Sequence, residues 1–252
     1  MTILGVDIGG SGIKAALVDT DRGELISERL RVPTPESLLV EDVLPAVADL
    51  VASFTNYHGP LGVGFPAVVQ DGVPRTPFTA HQIPGWKGYP VAERLSALTG
   101  RAVTMLNDAD AAGIAEMRFG NGQGKKGVVI IFTLGTGIGS AMFTNGQLVP
   151  NCELSALYLR GHTEFAEKYA ADIVRQEEEL SWEAYAARLD EYLHHVQRVF
   201  SPRLVIIGGG ISKKYEKFLP LLTVDYPVVP AGLRNEAGII GAAIAVAEGW
   251  SN

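Results

Sequence analysis

The chain has 252 residues, 47% hydrophobic and 19% charged, with 28 acidic against 21 basic side chains and a formal net charge of −7. Such a composition belongs to a globular chain with enough length for two modest cores, and its acidic balance argues against a general nucleic-acid surface. The single Cys152 excludes an internal disulfide and a cysteine-based zinc site; with no signal-peptide pattern at the start and no apolar run long enough for a bilayer, the expectation is a cytoplasmic protein with no membrane partner.

In chain order, Ile3-Leu4-Gly5-Val6-Asp7-Ile8 and Ile13-Lys14-Ala15-Ala16-Leu17-Val18 are short apolar runs that predict two strands joined by the turn Gly9-Gly10-Ser11-Gly12. A Rossmann or Walker turn opens a helix instead, and no Walker string is present. Residues 39–54 have helical periodicity despite Pro45, residues 61–65 read as a buried strand ending at Pro66, residues 91–98 as a helix and residues 102–106 as a strand. Asn107-Asp108-Ala109-Asp110-Ala111-Ala112 then opens a helical pattern that runs through Glu116.

The second half repeats the opening plan. Residues 128–134 predict a strand, the turn Gly135-Thr136-Gly137-Ile138-Gly139 follows, residues 141–143 return, and Asn145-Gly146 turns the chain into residues 147–149. Residues 181–200 form the clearest helix, capped by Ser181, with Trp182, Tyr185, Leu189, Leu193, Val196 and Phe200 at core spacing. The adjacent His194 and His195 cannot share one face as a metal pair would. Leu204-Val205-Ile206-Ile207 leads into a third glycine turn, Gly208-Gly209-Gly210, expected to open a helix, and residues 236–248 form an Ala- and Gly-rich helix suited to close packing.

Gly9 and Gly135 lie half the chain length apart, which suggests two homologous halves facing each other across a cleft. Glycine lets a ligand oxygen approach the main chain closely, so both turns are candidates for phosphate binding through Gly9, Gly10, Ser11, Gly12 and Lys14, and through Thr133, Gly135, Thr136 and Gly137, with Gly208, Gly209 and Gly210 as a third contact. Asp108, at the end of a strand and the start of a helix, is held ionised by the helix dipole and is the candidate general base. Asp7, beside the first turn, is the natural carboxylate for Mg²⁺, held through water.

The strings at residues 7–14, 107–116, 133–140 and 208–212, in this order and spacing, resemble the ROK family of sugar kinases and repressors, within the actin-like (ribonuclease H-like) ATPase fold. The likeness covers nearly the whole chain and is greatest to the polyphosphate-using branch. It implies an α/β protein of two lobes, each with a mixed sheet flanked by helices; here these are residues 1–107 plus 236–252 and residues 108–235. It also implies phosphoryl transfer from inorganic polyphosphate, ATP or both to the 6-hydroxyl of glucose, with Mg²⁺ and in a homodimer. Asn107, Glu153 and Glu167 match sugar ligands of the family, Glu167 after a Gly161-His162 stretch that carries extra residues. Where the family follows the first glutamate with a residue and then Gly-His, this chain has Leu154-Ser155-Ala156, so a sugar-binding histidine is missing. Pro66-Ala67 replaces Pro-Gly, and Thr79-Ala80-His81 stands where relatives often place an asparagine. These departures leave two alternatives: a kinase for another sugar or polyol, and a weakly catalytic or non-catalytic sugar or phosphate sensor. A DNA-binding repressor is not expected, because the first strand begins at Ile3.

Overall fold

The computed structural model describes residues 1–78 and 83–250. The elements begin with strands β1 (Thr2–Ile8), β2 (Ile13–Asp19), β3 (Glu24–Leu25) and β4 (Leu30–Val32), helix α1 (Val40–Ala52), strands β5 (Leu61–Phe65), β6 (Val69–Gln70) and β7 (Val73–Pro74), helix α2 (Val91–Thr99), strand β8 (Val103–Asn107) and helix α3 (Asp108–Phe119). Next come β9 (Val128–Leu134), β10 (Ile138–Thr144), β11 (Gln147–Val149), α4 (Glu167–Ala170), α5 (Asp172–Glu177), α6 (Trp182–Phe200), β12 (Leu204–Gly208), β13 (Val228–Pro230) and α7 (Ala237–Ala247).

The chain packs as two compact units, Met1–Ala115 with Glu236–Asn252, and Glu116–Asn235. In the first, the strand order is β3-β2-β1-β5-β8 with β4 also on β2; β1 runs antiparallel to β2 and parallel to β5. In the second, the order is β11-β10-β9-β12-β13, with β9 antiparallel to β10 and parallel to β12. Each unit thus starts with the same hairpin and adds a parallel neighbour on the same strand, as the repeated glycine pattern suggests.

Helix α7 closes one face of the first sheet because the sequence supplies glycine wherever backbones meet. A Cβ on Gly5 would stand 2.1 Å from the Ile239 carbonyl oxygen, and one on Gly62 would stand 1.9 Å from that of Ala242. The start of α3 joins this packing, since a Cβ on Gly241 would reach 1.6 Å from the Ala111 oxygen. That contact keeps the first turns of α3 with α7 and β5, in the first unit. Phe65, Phe78 and Trp86 form a buried aromatic group in this unit, with centroids 4.7–5.2 Å apart.

The second core is built around α6. Ser181 caps it by accepting the Ala184 amide at 3.2 Å, and Tyr185, Leu189, Leu193 and Val196 are fully buried, as their spacing requires. One expectation changes here. The third glycine turn opens a 3₁₀ segment, Gly210–Lys217, with a break in helical geometry at Lys214. The Ser212 hydroxyl donates back to the Gly209 carbonyl at 2.8 Å, a local bond of the kind that competes with α-helical hydrogen bonding.

Candidate active site

In the first unit the glycine turn is braced from within: the Gly9 amide donates to the Gly12 carbonyl at 3.1 Å, the Thr34 hydroxyl donates to the Gly9 carbonyl at 2.5 Å, and Arg31 Nη2 donates to the Ser11 carbonyl at 3.0 Å. Gly10 and Ser11 at its tip are exposed. The hairpin register sets Asp7 opposite Lys14, and Lys14 Nζ donates to Asp7 Oδ2 at 2.8 Å. Lys14, a phosphate candidate, therefore also neutralises the carboxylate assigned to the metal.

Asp7 pairs with Gly64 of β5, and Asn107 pairs with Phe65 of the same strand, so both side chains stand at the carboxyl ends of neighbouring parallel strands. This is where open α/β sheets bind ligands. Asn107 is 6% exposed and well used by the protein: its Oδ1 accepts the amides of Ala109 at 2.9 Å and Asp110 at 3.0 Å, and its Nδ2 donates to the Ala67 carbonyl at 3.1 Å. It is the cap of α3, which leaves its second amide hydrogen for a ligand. Asp108, half-buried in the first turn, accepts its neighbour's amide, Ala109 N, on Oδ1 at 2.8 Å.

In the second unit the Gly135 amide donates to the Gly137 carbonyl at 3.0 Å, and the Ile173 amide of α5 donates to the Gly135 carbonyl at 3.0 Å. Thr133 pairs in register with Gly208, and Gly209 takes φ +77° with its Cα so close to Leu134 that a Cβ would lie 2.3 Å from the Leu134 oxygen. The second and third glycine turns are thereby seated against each other. By contrast, a Cβ on Gly135 or Gly210 would meet nothing within 4 Å, and neither residue has a positive φ. Protein packing and backbone geometry do not require glycine at these two places, whereas close approach of a ligand to the main chain would. Thr136 is exposed between them and Gly137.

Glu167, at the start of α4, reaches this second turn: its Oε2 accepts the Ile138 amide at 2.9 Å and would lie 2.5 Å from a Cβ on Gly137. Glu153 stands nearby. It keeps an open side to solvent, has no ion pair or side-chain hydrogen bond among the described residues, and its carboxyl is pushed up by the surrounding protein atoms and then by the charge of Glu167. Its position comes from Ser140, which sequence reasoning passes over: the Ser140 hydroxyl donates to the Cys152 carbonyl and accepts the Leu154 amide at 2.9 Å, gripping Glu153 from both sides. The signal was a hydroxyl directly after the last glycine of the second turn. Ser155 is buried and Ala156 exposed where the family's Gly-His is missing.

The chemistry of the donor set suits Mg²⁺ without a protein cage. Among the described residues no group of three or more His, Cys, Asp or Glu could hold a metal; a single carboxylate completed by water and substrate phosphates is the usual Mg²⁺ arrangement, and Asp7 is the carboxylate that would serve in it. Among the basic side chains that a polyanion could meet, Lys214 and Lys217 gather over Trp182, with Nζ atoms 5.8 and 5.5 Å from the ring centroid, beside Arg175 at 4.4 Å. Lys213 adjoins them, whereas Arg118, Lys125, Lys126 and Lys168 are exposed on other segments. Thr79-Ala80-His81 lies outside the described residues.

Comparison with known proteins decides the family. The model of the ROK family matches residues 3–150. This chain is a ROK protein. A polyphosphate glucokinase from Mycobacterium tuberculosis (strain CDC 1551 / Oshkosh) is 44% identical to this ROK chain over 242 residues, spanning 96% of the chain and 89% of the relative. The crystal structure of an inorganic polyphosphate/ATP-glucomannokinase from Arthrobacter sp. strain KM superposes with a TM-score of 0.93 at 46% identity, covering 99% of both chains. A ROK family glucokinase from Streptomyces griseus, solved with glucose and AMPPNP, shares the fold at a TM-score of 0.80 and 24% identity, over 96% of this chain and 98% of that one. The actin-like ATPase fold expected of the family is the fold of this protein. No described helix is long and apolar enough to cross a membrane.

Proposed function

We propose that this ROK protein is a glucokinase that transfers a phosphoryl group from inorganic polyphosphate or ATP to the 6-hydroxyl of glucose. The observation that carries this reading is the pair Gly135 and Gly210, glycines that neither packing nor backbone geometry explains, together with the recurrence of the glycine hairpin on the same plan in the other unit. The names of the relatives, polyphosphate glucokinase and polyphosphate/ATP-glucomannokinase, support the donor and acceptor classes.

In the reaction the 6-hydroxyl gives its proton to Asp108 as its oxygen bonds to phosphorus, and the bridging P–O bond of the donor breaks to release ADP or a shortened polyphosphate. Phosphoryl transfer leaves the protein mainly positioning and charge stabilisation. Backbone amides of the turns at Gly9, Gly10, Ser11 and Gly12, at Thr133, Gly135, Thr136 and Gly137, and at Gly208, Gly209 and Gly210 take the phosphate oxygens, and Lys14 adds a positive charge. Bound Mg²⁺, held by Asp7 through water, would neutralise phosphate charge. Asn107, Glu153 and Glu167 hold the sugar hydroxyls. The unpaired carboxylate of Glu153 beside Glu167 favours a neutral polyhydroxyl ligand, since a pair of acids accepts hydroxyl protons but repels an anion.

The cations on Trp182 support polyphosphate as one donor, because Lys213, Lys214 and Lys217 form no ion pair among the described residues and a polyanion could neutralise them. Exposure of Ala156 at the missing histidine favours a second reading of the acceptor, a relaxed sugar range. The enzyme works as a cytoplasmic homodimer with no nucleic-acid partner, on the family pattern. Glucose 6-phosphate formation, assayed with each donor separately, tests the proposal; no product with either donor sinks it.

A further inference from the structure

The strand register of the first unit lines up three charges, of which the reaction as described uses two. Asp7 of β1 pairs with Lys14 of β2, and Lys14 pairs in turn with Arg31 of β4, so the three side chains leave the sheet on one face, in a row beside the first glycine turn. Neighbouring strands stand about 4.8 Å apart, which carries the row roughly 10 Å from Asp7 to β4. Asp7 and Lys14 cancel each other, with Lys14 Nζ 2.8 Å from Asp7 Oδ2. Arg31 is therefore the net charge of the row, in a chain whose formal balance is −7.

Its guanidinium is seated and not loose. Nη2 donates to the Ser11 carbonyl at 3.0 Å, and the group lies against Gly12, where a Cβ would stand 2.7 Å from Nε and 2.8 Å from Nη2. Gly12 has no positive φ, so backbone conformation does not call for glycine there; the space its missing side chain leaves is taken by the head of Arg31. The same segment holds the other end of the turn, through the Thr34 hydroxyl on the Gly9 carbonyl. Yet the head is scarcely used. A guanidinium carries five N–H donors in a planar fork, and among the described residues the bond to Ser11 is the one hydrogen bond of Arg31, with no carboxylate paired to it. Arg31 is exposed, as are Gly10 and Ser11 at the tip of the turn. Bracing the turn needs one donor and no formal charge, whereas a fixed fork with donors to spare matches a phosphate, which accepts two parallel N–H bonds from it.

We propose that Arg31 binds the phosphoryl donor, its guanidinium holding a phosphate of the donor chain at the first glycine turn. The inference rests on the phosphoryl-transfer reading above and deepens it, by adding to that site a cation that no described carboxylate neutralises. The triphosphate of ATP and inorganic polyphosphate present the same oxygens to such a fork, so the ligand is defined by that shared chemistry.

The probe is tripolyphosphate, titrated calorimetrically with Mg²⁺ present into wild type, Arg31→Ala and Arg31→Lys. Loss of a charge-assisted forked contact should weaken binding about tenfold or more in Arg31→Ala. Arg31→Lys should recover part of the loss, and the dependence of affinity on salt should flatten in Arg31→Ala by about one ion contact, by analogy with counterion release. In turnover, KM for the donor should rise by a similar factor while KM for glucose moves less than about twofold and the melting temperature stays unchanged. A rise with both donors places the contact on the phosphates they share; a rise with polyphosphate alone places it further along that chain. Tripolyphosphate affinity that survives Arg31→Ala overturns the proposal. So does an equal loss for donor and glucose with a lowered melting temperature, the mark of a brace that only shapes the turn. A wild type that binds tripolyphosphate through Arg31 yet phosphorylates no sugar removes the kinase reading and leaves the anion site, whereas a wild type that binds none removes the anion site itself.

Discussion

At the scale of single residues, the carboxylates divide by environment. Partial desolvation and then the charge of Glu167 push the Glu153 carboxyl up, so its proton is held to higher pH than an ordinary glutamate holds it. In the proposed site ionised Glu153 accepts sugar hydroxyls, so kcat/KM for the sugar should climb as pH rises through this raised pKa. Glu167→Gln removes the neighbouring charge and should move that acid limb to lower pH; an unmoved limb would show that the two do not interact. The linkage sign follows: a carboxyl with its folded pKa above the unfolded value binds its proton more tightly when folded, so stability is lost as pH rises through that window. Glu153→Gln should therefore melt higher than wild type at pH 7 and alike at pH 4. Asn107 shows why residue roles are hard to see in sequence. Its type and place at a strand end are legible, but its Oδ1 and one amide hydrogen are committed to the α3 cap and the Ala67 carbonyl, partners defined by β8 lying beside β5.

Among elements, the hairpins were the most legible part of the chain, and they contained more than was drawn from them. A four-residue turn between Ile8 and Ile13 fixes Asp7 opposite Lys14, so the ion pair follows from the turn length. The 3₁₀ segment after Gly210 was not legible, since a local Ser212 bond and the break at Lys214 override a run of ordinary helix formers. Two side chains tie elements together and can be tested. Ser140 joins β10 to the loop that carries Glu153; Ser140→Ala strands the Leu154 amide and the Cys152 carbonyl, which should cost about 1–3 kcal/mol in a denaturant melt and raise the sugar KM more than it lowers kcat. Glu116, 1% exposed at the end of α3, accepts the Leu233 amide at 2.7 Å, the Gly232 amide at 3.1 Å and the Asn121 amide at 3.2 Å. Glu116→Ala leaves these donors unmatched and should lower stability by about 2–4 kcal/mol, with Glu116→Gln intermediate; a neutral result would mean that water replaces the carboxylate.

For the molecule as a whole, the duplicated strand–turn–strand plan was legible because glycine spacing and apolar runs are local signals, and it correctly anticipates two sheets built alike. The compact units divide at residues 115 and 116: α7, at the far end of the sequence, packs on the first turns of α3 and keeps them in the first unit. In the proposed mechanism turnover depends on Asp108 more than on any other side chain. Positioned general-base catalysis is worth roughly 10²–10⁴ in rate, so Asp108→Asn separates an enzyme from a sensor of the same fold. The decisive measurement is glucose 6-phosphate formation by purified wild type and Asp108→Asn, with Mg²⁺ and either polyphosphate or ATP. The account predicts product from wild type and a loss of at least about a hundredfold in the variant with unchanged melting temperature; equal rates in the two proteins, or no product from wild type with either donor, would contradict it.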